Sequence, residues 1–135
     1  YATHINVSKP YEMLAWANAE ELRNFLPANF FDQYVQAKEK IGITTRGIIP
    51  DTPENREFND IRYKNIPKKI WPDMRFLKPN LFPLTGEITI YGNRKISIVN
   101  FQEDRLIGVI IEDENIHKAM RGIFELSWTS TMLIG

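Results

Sequence analysis

The clearest hydrophobic pattern in the chain lies between residues 85 and 128. Ile88 and Ile90 alternate with Thr and Tyr neighbours, a Gly92-Asn93 pair follows, and the alternation resumes from Lys95 to Phe101. Successive side chains of a strand point to opposite faces of the sheet, and a Gly-Asn pair suits a tight turn. The segment therefore predicts a β-hairpin.

The apolar run from Leu106 to Ile111 shows no such alternation. Uninterrupted apolar strands are typical of sheets that are covered on both faces, so this run predicts the central strand of the sheet. Asp113 then supplies a helix N-cap, and apolar residues follow at intervals of three or four. The predicted apolar stripe of this helix comprises Ile116, Ala119, Met120, Ile123, Phe124 and Trp128.

The first half of the chain predicts a β-α-β unit. A strand is predicted from Tyr11 to Ala17, and a short helix is predicted to begin at Asn18 and end at Pro27. A second helix is predicted from Asn29 to Ile41, where Gly42 follows as a helix stop, and a second strand over residues 43–49. Two strands joined through a helix pair in parallel, with a right-handed crossover.

The remaining elements complete an α/β fold. Pro53 suits the first position of a helix that runs to about residue 62. The proline-rich connection over residues 63–83 leaves room only for an edge strand at 74–77. Together these elements predict a three-layer α/β/α domain with a mixed, mostly parallel sheet. We assign this domain to residues 11–135, and residues 1–10 to a tail or linker that includes a possible edge strand.

Composition narrows the class of protein. The 135 residues suit a single domain, and 17 basic side chains balance 17 acidic ones, so no overall field draws the chain to nucleic acid or to an anionic membrane. The absence of cysteine excludes disulfides and thiolate sites, and no apolar run approaches the length of a bilayer span. We expect a soluble, cytoplasmic protein. The first residue is Tyr1 and not methionine, so we expect either a domain cut out of a longer protein or a processed product.

About a third of the chain resembles the C-terminal effector domain of TrmB-like transcriptional regulators, and more distantly the closing half of a phospholipase D-type repeat. The residues that carry the resemblance are Ile90-Tyr91-Gly92, Lys95, Ile98, Phe101, Gly108-Val109-Ile110-Ile111, Ile123-Phe124-Glu125-Leu126 and Trp128. The resemblance implies a phospholipase D-like single repeat that forms a homodimer and binds a small effector such as a sugar. It also implies that DNA is contacted only through a winged-helix domain before Tyr1.

The same resemblance allows a test for catalysis. Phospholipase D-type enzymes carry the motif H-x-K-x-x-x-x-D, and alignment on the hairpin places Thr85, Glu87 and Gly92 at its three conserved positions. Glu87 would repel a phosphodiester, so we predict a protein that is not an enzyme and needs no cofactor. The cleft is then expected to bind a ligand. The candidate ligand-binding residues are Thr85, Glu87, Tyr91 and Asn100.

Other candidate chemistry is weaker. His4 and His117 have no metal-ligand partners at regular spacing, so no metal site is predicted, and His117, which falls off the apolar stripe, is expected to be solvated or locally hydrogen-bonded. The connection between Arg62 and Lys78 holds six basic residues and one acidic residue, a pattern that indicates either a nucleic-acid patch or, preferably, a solvated connection pinned by aromatic residues. Two alternative functions remain: a residual phosphodiesterase or nuclease, and a module for protein interaction alone.

Overall fold

The computed structural model describes residues 1–18, 26–68, 71–82, 84–102 and 105–134. Four α-helices and six strands lie in these ranges, with a short 3-10 turn over Pro79–Leu81. In chain order the elements are α1 (Ala2–Ile5), β1 (Glu12–Ala17), α2 (Ala28–Ile41), β2 (Thr44–Pro50), α3 (Pro53–Tyr63), β3 (Asp73–Leu77), β4 (Glu87–Tyr91), β5 (Lys95–Gln102), β6 (Arg105–Glu112) and α4 (Glu114–Ile134).

The six strands form one mixed sheet in the order β3-β2-β1-β4-β5-β6. β1, β2 and β3 pair in parallel, which confirms the predicted β-α-β unit and the edge strand near residue 74. β4 is antiparallel to β1, and β4, β5 and β6 form an antiparallel meander that contains the predicted hairpin. Three of these five pairings are antiparallel, so the mixed sheet was predicted correctly but its mostly parallel character was not.

β6 lies at the edge of the sheet, which corrects the prediction that it is the central strand. Its side chains are exposed on both faces: Leu106 is 58% exposed and Ile110 57%, and on the opposite face Val109 is 47% exposed. An uninterrupted apolar run shows that both faces of a strand are apolar, but it does not show which elements cover those faces. β6 follows an antiparallel hairpin, so it adds to the outside of β5.

Successive residues of β1 are buried on opposite faces of the sheet. Met13 packs with Phe31 and Tyr34 of α2, while Leu14 packs with Phe124 and Trp128 of α4. Helices therefore cover both faces, with α4 on one face and α2 on the other. The two faces also differ in polarity, which determines where the candidate site lies.

The buried stripe of α4 differs from the predicted one. Ile116 is 44% exposed and Ile123 49%, whereas the buried residues of the helix are His117, Phe124, Trp128 and Thr131. The His117 ring is buried and hydrogen-bonds to the backbone of Tyr91, so of the two predicted states, solvated or locally hydrogen-bonded, the structure has the second. A histidine whose ring bonds to a backbone group can lie on the buried side of a helix. The prediction placed this polar residue on the exposed side and therefore gave α4 the wrong rotation about its axis.

Helix ends follow local chemistry. The Thr52 side chain accepts a hydrogen bond from the Asn55 N–H before Pro53, and Asp113 accepts one from the Ile116 N–H. Gly42 ends α2 with a left-handed φ of 92°, a conformation that glycine adopts without strain. Ala2–Ile5 form a helical turn instead of the possible edge strand. The helix predicted after Asn18 falls largely outside the described residues.

Candidate functional site

A cavity of about 90 Å³ lies between the sheet and the helices α2 and α3. Its apolar walls include Met13, Ile49, Phe58 and Met74. Its polar lining includes Lys38, Thr45, Asn55, Tyr63, Glu87 and Thr89. Side chains from five elements thus point into one small, partly enclosed volume. The elements are strands β1, β2 and β4 and helices α2 and α3.

Glu87 opens β4 and points into this cavity, and its side chain is almost completely buried, with 6% of the residue exposed. The Thr89 hydroxyl donates to its Oε1 atom over 2.9 Å. Burial raises the pKa of Glu87, and this effect is partly offset by the hydrogen bond from Thr89, by the nearby Tyr1 hydroxyl and by the charge of Lys38. The preceding residue, Gly86, lies so close to β5 that a Cβ atom would stand 1.9 Å from the Val99 carbonyl oxygen.

Lys38 enters the same cavity from α2 and is equally buried, with 6% exposed. Its ammonium donates to the Thr45 hydroxyl over 2.6 Å and lies 5.4 Å from the centre of the Tyr34 ring. Burial lowers the pKa of Lys38 to about 8, although the carboxylate of Glu87 acts in the opposite direction. The cavity therefore holds one acid and one base that are both removed from water.

The N-terminal residues complete one wall. Tyr1 lines the cavity, and its hydroxyl is buried near Glu87 without a hydrogen bond of regular geometry. The Tyr34 hydroxyl lies 2.8 Å from Nδ1 of His4, and Nε2 of His4 lies 3.2 Å from the Ser97 hydroxyl. Burial lowers the pKa of His4 to about 3, so this ring is neutral and couples the first helical turn to the wall of the cavity.

The structure separates the four predicted ligand-binding residues. Glu87 lines the cavity, but Thr85, Tyr91 and Asn100 do not. The Thr85 hydroxyl and the Asn100 side-chain oxygen lie 2.7 Å apart at an exposed position beside the hairpin. Tyr91 is fully buried, with its hydroxyl 2.8 Å from that of Thr3. The geometry instead brings a different set of residues together around Glu87.

Sequence reasoning missed Lys38 as a site residue, although a signal was present. Lys38 lies at helical spacing from Phe31, Tyr34 and Val35, and all four residues are buried on the same side of α2. A lysine on a stripe that faces the core must reach water or a polar partner. Tyr63, Asn55 and Thr45 carried no comparable signal, because their spacing matches no known ligand motif.

The proline-rich connection is partly folded into the body of the domain. The guanidinium of Arg75 lies 3.9 Å from the centre of the Trp128 ring and donates to Thr131, and Trp71 donates through Nε1 to the carbonyl of Ile66. The Arg56 guanidinium of α3 lies 4.0 Å from the centre of the Phe76 ring, so this aromatic residue joins the segment to the body of the domain, whereas the Trp71 bond stays within the connection. Within the described ranges, no group of His, Cys, Asp or Glu side chains is placed to hold a metal ion.

None of the helices among the described residues combines the length and apolar character that crossing a bilayer requires. A comparison with protein-family models gives no match, and neither does a comparison with curated protein sequences. The fold is similar to that of TrmBL2, an archaeal chromatin protein whose structure shows a novel mode of DNA binding, with a TM-score of 0.61 and 16% sequence identity. The similarity covers 96% of this chain and 46% of TrmBL2, so this chain spans about half the length of that protein. The predicted relationship to TrmB-like proteins therefore holds at the level of the fold.

Proposed function

We propose that this chain is the non-catalytic, ligand-sensing and dimerisation domain of a DNA-binding transcriptional regulator. The observation that carries the sensing role is the cavity of about 90 Å³ around Glu87 and Lys38, where an apolar lining surrounds a few convergent polar groups. The fold shared with TrmBL2 supports the regulatory context. A phospholipase D-like repeat and a cytoplasmic location are part of the proposal.

The absence of catalysis is argued from Glu87. A phosphodiesterase of the phospholipase D type needs a histidine nucleophile and a cationic group at the phosphate, and Glu87 stands where the cation would be. Neither His4 nor His117 lines the cavity, and both rings are buried in other contacts. A residual phosphodiesterase would have to act elsewhere. Incubation with a generic phosphodiester and with single-stranded DNA should give no turnover above a heat-denatured sample.

Contact with DNA is proposed for another part of the regulator. The described surface holds no helix-turn-helix, and the chain's basic and acidic side chains balance. A winged-helix domain in the same regulator would supply the DNA contact, and ligand binding to this domain would bias its affinity for an operator. Allosteric coupling of this kind amounts to about 1–3 kcal/mol in typical systems.

A homodimer is proposed through the outer edge of β6. We define the β6 surface as the exposed apolar residues of β5 and β6, namely Ile98, Leu106, Ile107, Val109 and Ile110. The apolar run carries no charge or proline that would block a further strand. Antiparallel pairing with β6 of a second copy around a two-fold axis would satisfy the free backbone groups of both edges. A standard interface buries about 800 Å² per partner, a tenth of the 8183 Å² accessible surface of this chain.

Sedimentation velocity tests this dimer with a matched pair of substitutions. Val109→Lys places a charge on the β6 surface, and Ile61→Lys places one on α3, where the native side chain is equally exposed (47% and 46%). We expect the native protein and Ile61→Lys to sediment as dimers and Val109→Lys to sediment as a monomer. A native monomer at all concentrations, or a dimeric Val109→Lys, would reject this interface.

Thermal-shift screening against sugars and other polar metabolites tests the sensing role. A ligand at a hundred times its Kd adds about 2.7 kcal/mol to stability, which raises Tm by roughly 10 °C for a domain of this size. We expect at least one compound class to produce such a shift. A flat screen together with an intact β6 dimer would instead favour a module for protein interaction alone.

A further inference from the structure

The cavity contains two opposite charges that do not neutralise each other. Lys38 and Glu87 are both among the described residues, and their charged groups form no ion pair within 4.0 Å. Lys38 donates instead to Thr45, and Glu87 accepts from Thr89. Two buried ions held apart across a cavity are costly unless something between them supplies the missing partners.

Both ions have unused hydrogen-bonding capacity. An ammonium has three donors, and Thr45 occupies one donor of Lys38. A carboxylate has two oxygens, and Thr89 occupies one lone pair of Oε1 of Glu87. The Tyr1 hydroxyl near the carboxylate is also buried without a regular partner. The uncommitted donors and acceptors therefore belong to opposite charges that line the same volume.

The chemistry that satisfies this arrangement is a small zwitterion. A neutral polyol offers hydroxyls to both groups but leaves both buried charges without counter-charges, and a simple anion or cation serves only one of them. A molecule with one carboxylate and one ammonium serves both through charge-assisted hydrogen bonds. The apolar side chains of Met13, Ile49 and Met74 complete the lining and suit a short aliphatic group.

We propose, as a refinement that rests on the sensing function above, that this cavity binds a small α-amino acid. Lys38 binds the carboxylate of the amino acid, and Glu87 binds its ammonium. The cavity volume of about 90 Å³ favours glycine, alanine or a similarly small member of this class over large or aromatic amino acids.

Isothermal titration calorimetry and thermal shift on the full chain test this proposal. The probes are glycine, alanine, valine and tryptophan, with N-acetylalanine and alaninamide as analogues that each lack one charge, and with glucose and glycerol as neutral polyols. We expect a small amino acid to bind and to raise Tm. We expect each single-charge analogue to bind at least about tenfold more weakly, because a hydrogen bond to a charged group is lost.

Matched variants assign the two contacts. Glu87→Gln and Lys38→Met should each weaken amino-acid binding at least about tenfold. Glu39→Gln and Lys40→Met, which alter exposed residues of the same helix as Lys38, should leave binding unchanged. The circular dichroism spectrum and Tm of each variant establish that it is folded. Because Glu87→Gln retains the size of the side chain, it keeps the test valid if Lys38→Met does not fold.

The possible outcomes separate this proposal from the broader one. Binding of glucose or glycerol without binding of any amino acid would overturn the zwitterion proposal and leave the sensing function standing. Equal binding of alanine and its two single-charge analogues would also overturn it. If no amino acid binds, the zwitterion proposal fails, and the wider metabolite screen then decides the sensing function independently.

Discussion

The two faces of the sheet are built from alternate residues of the same strands, yet they bury different chemistry. On the face covered by α4, Leu14, Ile48 and Ile90 pack against Phe124 and Trp128 in an apolar cluster. On the opposite face the buried groups include polar and charged side chains. These are His4, Lys38, Asn55, Glu87, Thr89 and Ser97, whereas the buried polar residues of α4 are His117 and Thr131.

This difference separates an apolar face from a face that holds a polar cavity, the site of the proposed ligand binding. Burial of apolar side chains away from water stabilises the folded state without requiring specific bonding partners. The α4 face therefore contributes mainly to stability. Buried polar groups are costly unless they are satisfied, and the polar groups on the opposite face bond to one another, to the backbone or line the cavity. The contrast predicts that substitutions on the α4 face change stability, whereas substitutions around the cavity change binding and pH dependence.

The largest expected effect tests the apolar face. Phe124 is fully buried between Trp16 and Trp128, and Phe124→Ala should lower the free energy of unfolding by about 3–5 kcal/mol because it leaves a cavity. Leu126 lies two residues further along α4 and is 72% exposed. Leu126→Ala should therefore cost less than about 0.5 kcal/mol. Urea unfolding measures both, and equal losses would show that α4 does not pack as described.

A pH effect tests the polar face. The pKa of His4 is lowered from 6.5 to about 3 by burial, so the unfolded chain takes up a proton in this range that the folded chain does not. Stability should therefore fall as the pH drops below 6.5, by about 2–3 kcal/mol at pH 4.5. The raised pKa of Glu87 acts in the opposite direction and is common to the native protein and the control.

The control for this pH effect is His4→Gln, whose amide can still bond to Tyr34 and Ser97 but does not titrate. Urea unfolding of both proteins at pH 4.5, 5.5 and 6.5 isolates the contribution of His4 as the difference between the two curves. We expect His4→Gln to lose less stability with acid than the native protein. Parallel curves would mean that His4 is accessible to protons in the folded state.

The smallest effect compares two arginines. Arg46 is 19% exposed, bonds to Glu12 and Glu125, and lies over the rings of Phe124 and Trp128. Arg46→Lys should cost about 1 kcal/mol, because lysine cannot keep both bidentate contacts and the ring stacking. Arg94, whose 3.5 Å pair with Glu112 is 55% exposed, should tolerate Arg94→Lys with almost no loss. Thermal unfolding in low and high salt measures the stability that each variant loses. Equal losses for Arg46→Lys and Arg94→Lys would contradict the position of Arg46 over the two aromatic rings.

The sequence allowed the elements to be predicted well wherever local chemistry determines them. The hairpin, the β-α-β unit and the helix after Asp113 rest on turns, caps and periodicity, which act over a few residues. The position of β6 at the edge and the rotation of α4 depend on contacts between distant segments, and periodicity contains no information about them. Glu87 was identified through the resemblance. Lys38 was not, although its position beside Tyr34 and Val35 indicates a buried lysine, because its approach to the same cavity as Glu87 depends on contacts between distant segments.

The tight approach of Gly86 to the Val99 carbonyl has a further consequence. Any side chain at position 86 would force the start of β4 away from β5, and the next residue along the chain is Glu87. A single methyl group placed outside the cavity would thereby displace the carboxylate that lines it. A substitution at position 86 would thus change the position of a charged group in the cavity without altering any residue that lines it.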